Sequence, residues 1–188
     1  QMIRACNRND VIMALSLIRP GPSSSGMKER FVRRRLGREP VAFLAPQLEH
    51  ILGDTFGVML YQEDILRVAV AIAGFTMAEA DQLRRAVDKG QSRREIGRFQ
   101  ERFLAGARER GVAAANARAL WKQILQFAGY SYCKAHAVTY GYISYESVWL
   151  KTHYHPEFLA AVLSNQGGYY HAGVYVEEAR RCGIPILG

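Results

Sequence analysis

The 188 residues are 49% hydrophobic and 22% charged, the make-up of a soluble globular chain with enough apolar material for one sizeable core or two small ones. Lys and Arg outnumber Asp and Glu by 25 to 17, a formal net charge of +8, which points to a polyanionic partner with nucleic acid as the first candidate. Three scattered cysteines without a C-x-x-C pair argue against a disulfide or zinc framework and fit a reduced, cytoplasmic compartment, and no apolar run approaches the ~18 residues of a membrane span.

Gln1 in place of an initiator methionine reads as the start of a segment cut from something longer, and no fixed-period repeat suggests a solenoid. Asn9 or Asp10 is a plausible cap for a first helix running to Arg19, where Pro20-Gly21-Pro22 must stop it. A second helix is expected from about Ser25 to Leu36. Its Lys28, Arg30, Arg33, Arg34 and Arg35, with Arg38 just beyond, are too many for one solvated stripe, although such runs are more often surface than site. Pro46, Gly53 and Gly57 punctuate the next stretch, which holds a short helix near Gln47 to Leu52 and an extended piece at Val58 to Tyr61.

Gln62 to Ala73 places Ile65, Val68, Ala69 and Ile72 on one helical face, closed by Gly74. Thr76 and Glu79 form a capping box for MAEADQLRRAVDK, whose buried face is Ala80, Leu83 and Val87. Arg84 and Arg85 fall off that face. Asp81 lies four residues before Arg85 and Asp88 four after Arg84, so ordinary surface ion pairs, worth only ~0.3–0.5 kcal/mol each, account for both arginines. Ser92 and Glu95 cap a helix to about Arg110, with Phe99 and Phe103 inward and an outward, solvated row of Arg94, Arg98 and Arg102. AAANARALWKQILQFAG supplies a further amphipathic helix.

The stretch from Phe127 to Tyr154, FAGYSYCKAHAVTYGYISYESVWLKTHY, is unusually dense in aromatic and cationic groups. Gly129 suits the end of one helix, Tyr130 to Ala135 a loop, and about Ala137 to Thr152 the next helix. Lys134 and His136 then sit at a helix N-terminus, where free N–H groups and the macrodipole favour phosphate. A buried aromatic helix behind a basic loop is the plainer reading of the same spacing. His153 and His155 make a potential metal pair, but nothing at metal-ligand spacing completes it, so they are read as helix-end residues. Pro156 starts a helix to near Asn165, YYHAGVYVEEARRCG forms another, and IPILG leaves in an extended form.

GYSYCKAHAVTYGYISYESVWLKTHYHPEFLAAVLS resembles the fingers motif of the bacterial family C DNA polymerases, the α subunit of DNA polymerase III and its error-prone paralogue. RPGP followed by FVRRRLGRE, GVMLYQEDI and AEADQLRRAVDKG resemble further motifs of that family, in the family's order. Asp64 stands where the family usually has Gln, and Lys89-Gly90 where it often has two lysines. The resemblance implies a mainly α, multi-helix fingers domain with short irregular or extended connections. Within it, residues 1–57 form a basic N-terminal part, 58–165 a helical nucleotide-facing part, and 166–188 a C-terminal helix and exit segment.

The resemblance also implies that Arg84, Arg85, Lys89, Tyr130, Lys134 and His136 face the incoming deoxynucleoside triphosphate. Arg19, Lys28, Arg33, Arg34 and Arg35 are candidate contacts to primer-template DNA. The family's three catalytic aspartates lie in a palm domain, and Asp10, Asp54, Asp64, Asp81 and Asp88 match none of them. No catalytic or metal-ligating residue and no cofactor is therefore expected here, and Mg2+ is expected in the palm of the full-length polymerase. Sliding-clamp and replisome partners would be reached through other parts of that protein. The alternative is a non-catalytic helical module that binds nucleic acid nonspecifically. The pairing of Arg84 and Arg85 with Tyr130, Lys134 and His136 speaks against it.

Overall fold

The computed structural model describes residues 3–18, 26–90, 92–128 and 132–186, with the side chain of residue 128 left out. Among them are ten α-helices, one 3-10 turn and no strand. The helices are α1 (Arg8–Leu17), α2 (Met27–Arg35), α3 (Gln47–Leu52), α4 (Gln62–Ala73), α5 (Met77–Asp88), α6 (Arg93–Glu109), α7 (Ala114–Ala128), α8 (Lys134–His153), α9 (His155–Ser164) and α10 (Ala172–Arg181). No helix of the described residues is long and apolar enough to cross a membrane. The chain divides into two compact units, Gln1–Gly141 and Tyr142–Gly188.

The main core of the first unit is built around α4. Ile65, Val68, Ala69 and Ile72 are fully buried, on the face that their spacing sets. Helices α3, α5, α6 and α7 pack on or around α4, contributing Leu48, Leu83, Phe103, Trp121, Ile124 and Phe127. Gly74 ends α4 in the left-handed conformation, φ 66°. Thr76 and Glu79 start α5 as a reciprocal box, the Thr76 N–H donating to the Glu79 carboxylate at 2.7 Å and the Glu79 N–H to Thr76 Oγ1 at 3.2 Å. A second cluster, with Leu17, Phe31, Leu60, Tyr61 and Ala137, joins α1, α2, residues 58–61 and the start of α8.

Three local readings of the sequence need correction. The cap of α1 is Asn7, whose side chain accepts the Asp10 N–H at 3.0 Å. Asp10 turns back instead, to accept the Cys6 N–H at 2.8 Å. Helix α8 starts at Lys134 instead of about Ala137, so Lys134 lies in the helix and not in a loop before it, and Lys134 and His136 occupy the first turn, at the helix N-terminus expected for them. Arg102 is not part of a solvated row, because its guanidinium donates to the carbonyls of Ala73 and Gly74 at 3.1 Å each, taking up acceptors that the end of α4 leaves open. The extended piece expected at 58–61 pairs in no sheet among the described residues: Tyr61 is extended, φ −122° and ψ 149°, and the four residues are buried and lead directly into α4.

Candidate nucleotide and DNA interface

Helix α5 buries Ala80, Leu83 and Ala86, which turns Arg84 and Arg85 toward the opposite side. Arg84 donates to one Asp81 oxygen through Nε at 3.0 Å and Nη2 at 2.8 Å, and to Asp88 through Nη1 at 3.0 Å. Arg85 takes the other Asp81 oxygen at 2.7 Å, with 65% of its side chain exposed. Asp81 thus holds both guanidinium groups in a fixed fork. Hydrogen bonding by Arg84 keeps the Asp81 carboxyl below its usual value against the opposing effect of burial. Burial by itself would lower the Arg84 pKa, and the Asp81 and Asp88 carboxylates more than reverse it. Lys89, the C-cap residue of α5, is exposed.

The entry of α8 is a second basic site. The Tyr132 carbonyl accepts the Gln62 N–H at 2.9 Å, tying this segment to the start of α4. The Lys134 N–H, one of the first N–H groups of α8, donates to the Glu63 carboxylate at 3.1 and 3.3 Å. An anion therefore already occupies part of the position that the helix N-terminus offers. The Lys134 ammonium lies 5.4 Å from the centre of the Tyr61 ring. His136 is flanked edge-on by Tyr132 and Tyr140, ring centres 5.3 and 4.5 Å away. Lys134 also lines a pocket of about 300 Å³ with Asn7, Asp10, Asp54, Thr55 and Tyr61.

The basic run of α2 is largely turned to internal work. Arg34, 10% exposed at its side chain, donates to Glu39 at 3.0 Å and to the Phe56 carbonyl at 2.8 Å. Arg35 donates to the Ile3 carbonyl at 2.7 Å and pairs with the buried Asp10 at 2.7 Å. Arg33, half exposed, shares Glu39 at 2.9 Å, and Lys28 is partly exposed. Arg19 and Tyr130 lie outside the described residues.

The structure thus gathers Arg84 with Arg85 around Asp81, and Lys134 with His136 among tyrosines, each group tied to its own partners. Glu63, which holds the start of α8, escaped sequence reasoning. Its place in the first turn of α4 signals a capping acid and nothing about a helix 71 positions later. Asp10 and Asp64 do not fit a Mg2+ site. Asp10 is committed to Arg35 and the Cys6 N–H, and Asp64 accepts the Leu60 and Tyr61 N–H groups at 2.9 and 3.0 Å.

The family model of the bacterial DNA polymerase III alpha subunit finger domain matches residues 2–111, which carry α1 to α6. An error-prone DNA polymerase of Anaeromyxobacter dehalogenans (strain 2CP-C) is 39% identical over 99% of this chain and 16% of its own length. The DNA polymerase III subunit alpha of Aquifex aeolicus (strain VF5) is 38% identical over 95% of this chain and 15% of its own. That of Helicobacter pylori (strain ATCC 700392 / 26695) is 36% identical over 98% and 15%. The chain thus spans about a sixth of the length of these curated relatives. The match over more than half of the residues, on a fold whose described residues form helices and no strand, shows that the chain belongs to the bacterial DNA polymerase III alpha-subunit finger-domain family.

Proposed function

We propose that this chain is the part of a cytoplasmic DNA polymerase that receives the incoming deoxynucleoside triphosphate and helps hold primer-template DNA during replicative or error-prone synthesis. The observation that carries the reading is the family match over residues 2–111, within which α5 presents Arg84 and Arg85 side by side. Arginine's planar fork suits phosphate oxygens. Lys89 and Lys134 add point charges, and His136 at the entry of α8 donates a hydrogen bond or a proton to the leaving pyrophosphate. Tyr130 packs near the base or sugar. On nucleotide arrival, the triphosphate replaces Asp81 and Asp88 on the arginines.

Template-directed nucleotidyl transfer needs two metals held by carboxylates. In this reading Mg2+ is bound by a palm elsewhere in the full-length polymerase, and the chain alone incorporates no nucleotide. Sliding-clamp and other replisome contacts belong to parts outside these residues.

The ion pairs of Arg84 and Arg85 with Asp81 and Asp88 favour a second reading, a non-catalytic module that binds nucleic acid through charge alone. Single-nucleotide incorporation by the full-length polymerase separates the two. Removing one charged phosphate contact typically costs on the order of 1.5–3 kcal/mol. Arg85→Ala is therefore expected to lower kcat/KM for nucleotide roughly ten- to a hundredfold while primer-template affinity changes far less. Unchanged incorporation by folded Arg84→Ala, Arg85→Ala and His136→Ala variants would remove the triphosphate assignment and leave the second reading.

A further inference from the structure

The second unit buries little of its apolar material. Among its described residues only Leu159 of α9 and Ala179 of α10 belong to the buried hydrophobic set. Where α9 meets α10, a different kind of group collects. Glu178 and Cys182 are four residues apart at the end of α10, so they share one face. His155, the first residue of α9, faces them, and one donor atom from each of the three lies within 4.8 Å of the others. His155 Nε2 is buried without a hydrogen-bond partner, a position in which a polar atom normally costs stability.

We propose that His155, Glu178 and Cys182 form a binding site for a borderline-soft divalent cation, Zn2+ foremost, that clamps the start of α9 to the end of α10. Imidazole nitrogen, carboxylate oxygen and thiolate sulfur together are a zinc donor set, whereas Mg2+ and Ca2+ require oxygen. Tetrahedral Zn2+ with bonds of about 2.0–2.3 Å sets its ligand atoms about 3.3–3.7 Å apart, within a small side-chain rotation of the present spacing. Three protein ligands leave the fourth position to water. His153, which looked like the partner of His155 in the sequence, packs against Trp149 instead, ring centres 4.7 Å apart.

Without the ion, Glu178 is held by Lys151 at 3.3 Å and by Arg181 at 2.8 Å. On binding, Glu178 exchanges Lys151 for the metal and keeps Arg181 on its other oxygen. Cys182 releases its thiol proton to solvent. The thiolate and carboxylate then balance the 2+ charge, and affinity falls as pH is lowered.

The test uses the whole 188-residue chain carrying Cys6→Ser and Cys133→Ser, which leaves Cys182 as the sole thiol. Co2+ titration is expected to give one site per chain with a near-ultraviolet thiolate-to-metal charge-transfer band, displaced by Zn2+. Zn2+ is expected to raise the Tm. Cys182→Ser should abolish the band, His155→Ala should weaken binding at least ~tenfold, and His153→Ala should leave it unchanged. Lys151→Ala, by freeing Glu178, should tighten it, a response that casual surface binding would not show. A spectrum with no thiolate band, or equal Co2+ affinity in folded His155→Ala and Cys182→Ser variants, overturns the site.

Discussion

Two buried aspartates whose pKa values are shifted in opposite directions show how individual residues set the pH response. Burial pushes the Asp64 carboxyl up, and the N–H groups of Tyr61 and Leu60 only partly offset it. Its ionised form is therefore carried at a cost, which builds up as pH rises from the ordinary carboxylate value to the raised one and is absent in acid. For Asp10 burial again acts upward, but the Cys6 N–H and the Arg35 guanidinium outweigh it, and the carboxyl ends below its usual value. Its contribution is present above the ordinary carboxylate pKa and is lost as pH falls through the lowered one. Both N–H donors of Asp64 fall on a single oxygen, a role that an amide oxygen can fill. Asp64→Asn is thus expected to match or exceed the parent in urea unfolding at pH 7, and to lose that advantage near pH 4. Asp64→Ala should lose about 1–3 kcal/mol, since it leaves two buried N–H groups without an acceptor. An Asn variant as damaged as the Ala variant would contradict this account.

At the scale of elements, α4 and α6 touch through backbone. A Cβ on Gly106 would lie 1.9 Å from the Ala73 carbonyl oxygen, the same oxygen that accepts from Arg102. Gly106→Ala must push α6 away and break the Arg102 contacts, so urea unfolding should report a loss of about 1–3 kcal/mol or more. Gly97, on the same helix with open space around it, is the control: Gly97→Ala should stabilise by about 0.4–1 kcal/mol. Equal effects at the two sites would show that α6 is free to shift. Sequence spacing marks Gly106 as inward, three residues after Phe103, but not that a carbonyl meets it there. The same limit runs through the chain. The Thr76–Glu79 box, the apolar face of α4 and its Gly74 stop were legible because each depends on neighbours within a turn or two. The partners of Arg35, Arg102 and Lys134 were not, since Ile3, Ala73 and Glu63 reach them only through the fold. The candidate nucleotide residues were named by resemblance, and spacing paired Asp81 with Arg85 and Asp88 with Arg84, whereas the bonds from Arg84 to Asp81 that complete the fork were not read from it.

For the whole molecule, the positive charge free to meet a polyanion is what the ion pairs leave over. In α2, Arg33 and Arg34 share Glu39, and Arg35 is committed to Asp10, so this run presents less free charge than its sequence suggests. Exposed cations elsewhere, such as Arg94 and Arg98 on α6 and Arg118 and Lys122 on α7, add to a diffuse positive surface. A diffuse surface binds duplex DNA weakly and without sequence preference, through release of condensed counterions. With roughly three to five phosphates neutralised, the slope of log K against log salt should be about −3 to −4.5, a loss of ~60- to 500-fold between ~50 and 200 mM. The two ends of the α2 run should then respond differently. Arg33→Ala, at a half-exposed guanidinium, should reduce the slope by up to about one unit with little change in Tm. Arg35→Ala removes the partner of a carboxylate 4% exposed, so it should cost about 3–5 kcal/mol of stability and, at temperatures where the variant is still folded, leave the slope nearly as it was. Fluorescence anisotropy with two unrelated duplexes, run beside thermal melts, reads both quantities. Salt-independent binding, a strong preference for one duplex, or a slope that drops for Arg35→Ala without a fall in Tm would each show that α2 meets DNA in a way these ion pairs do not allow.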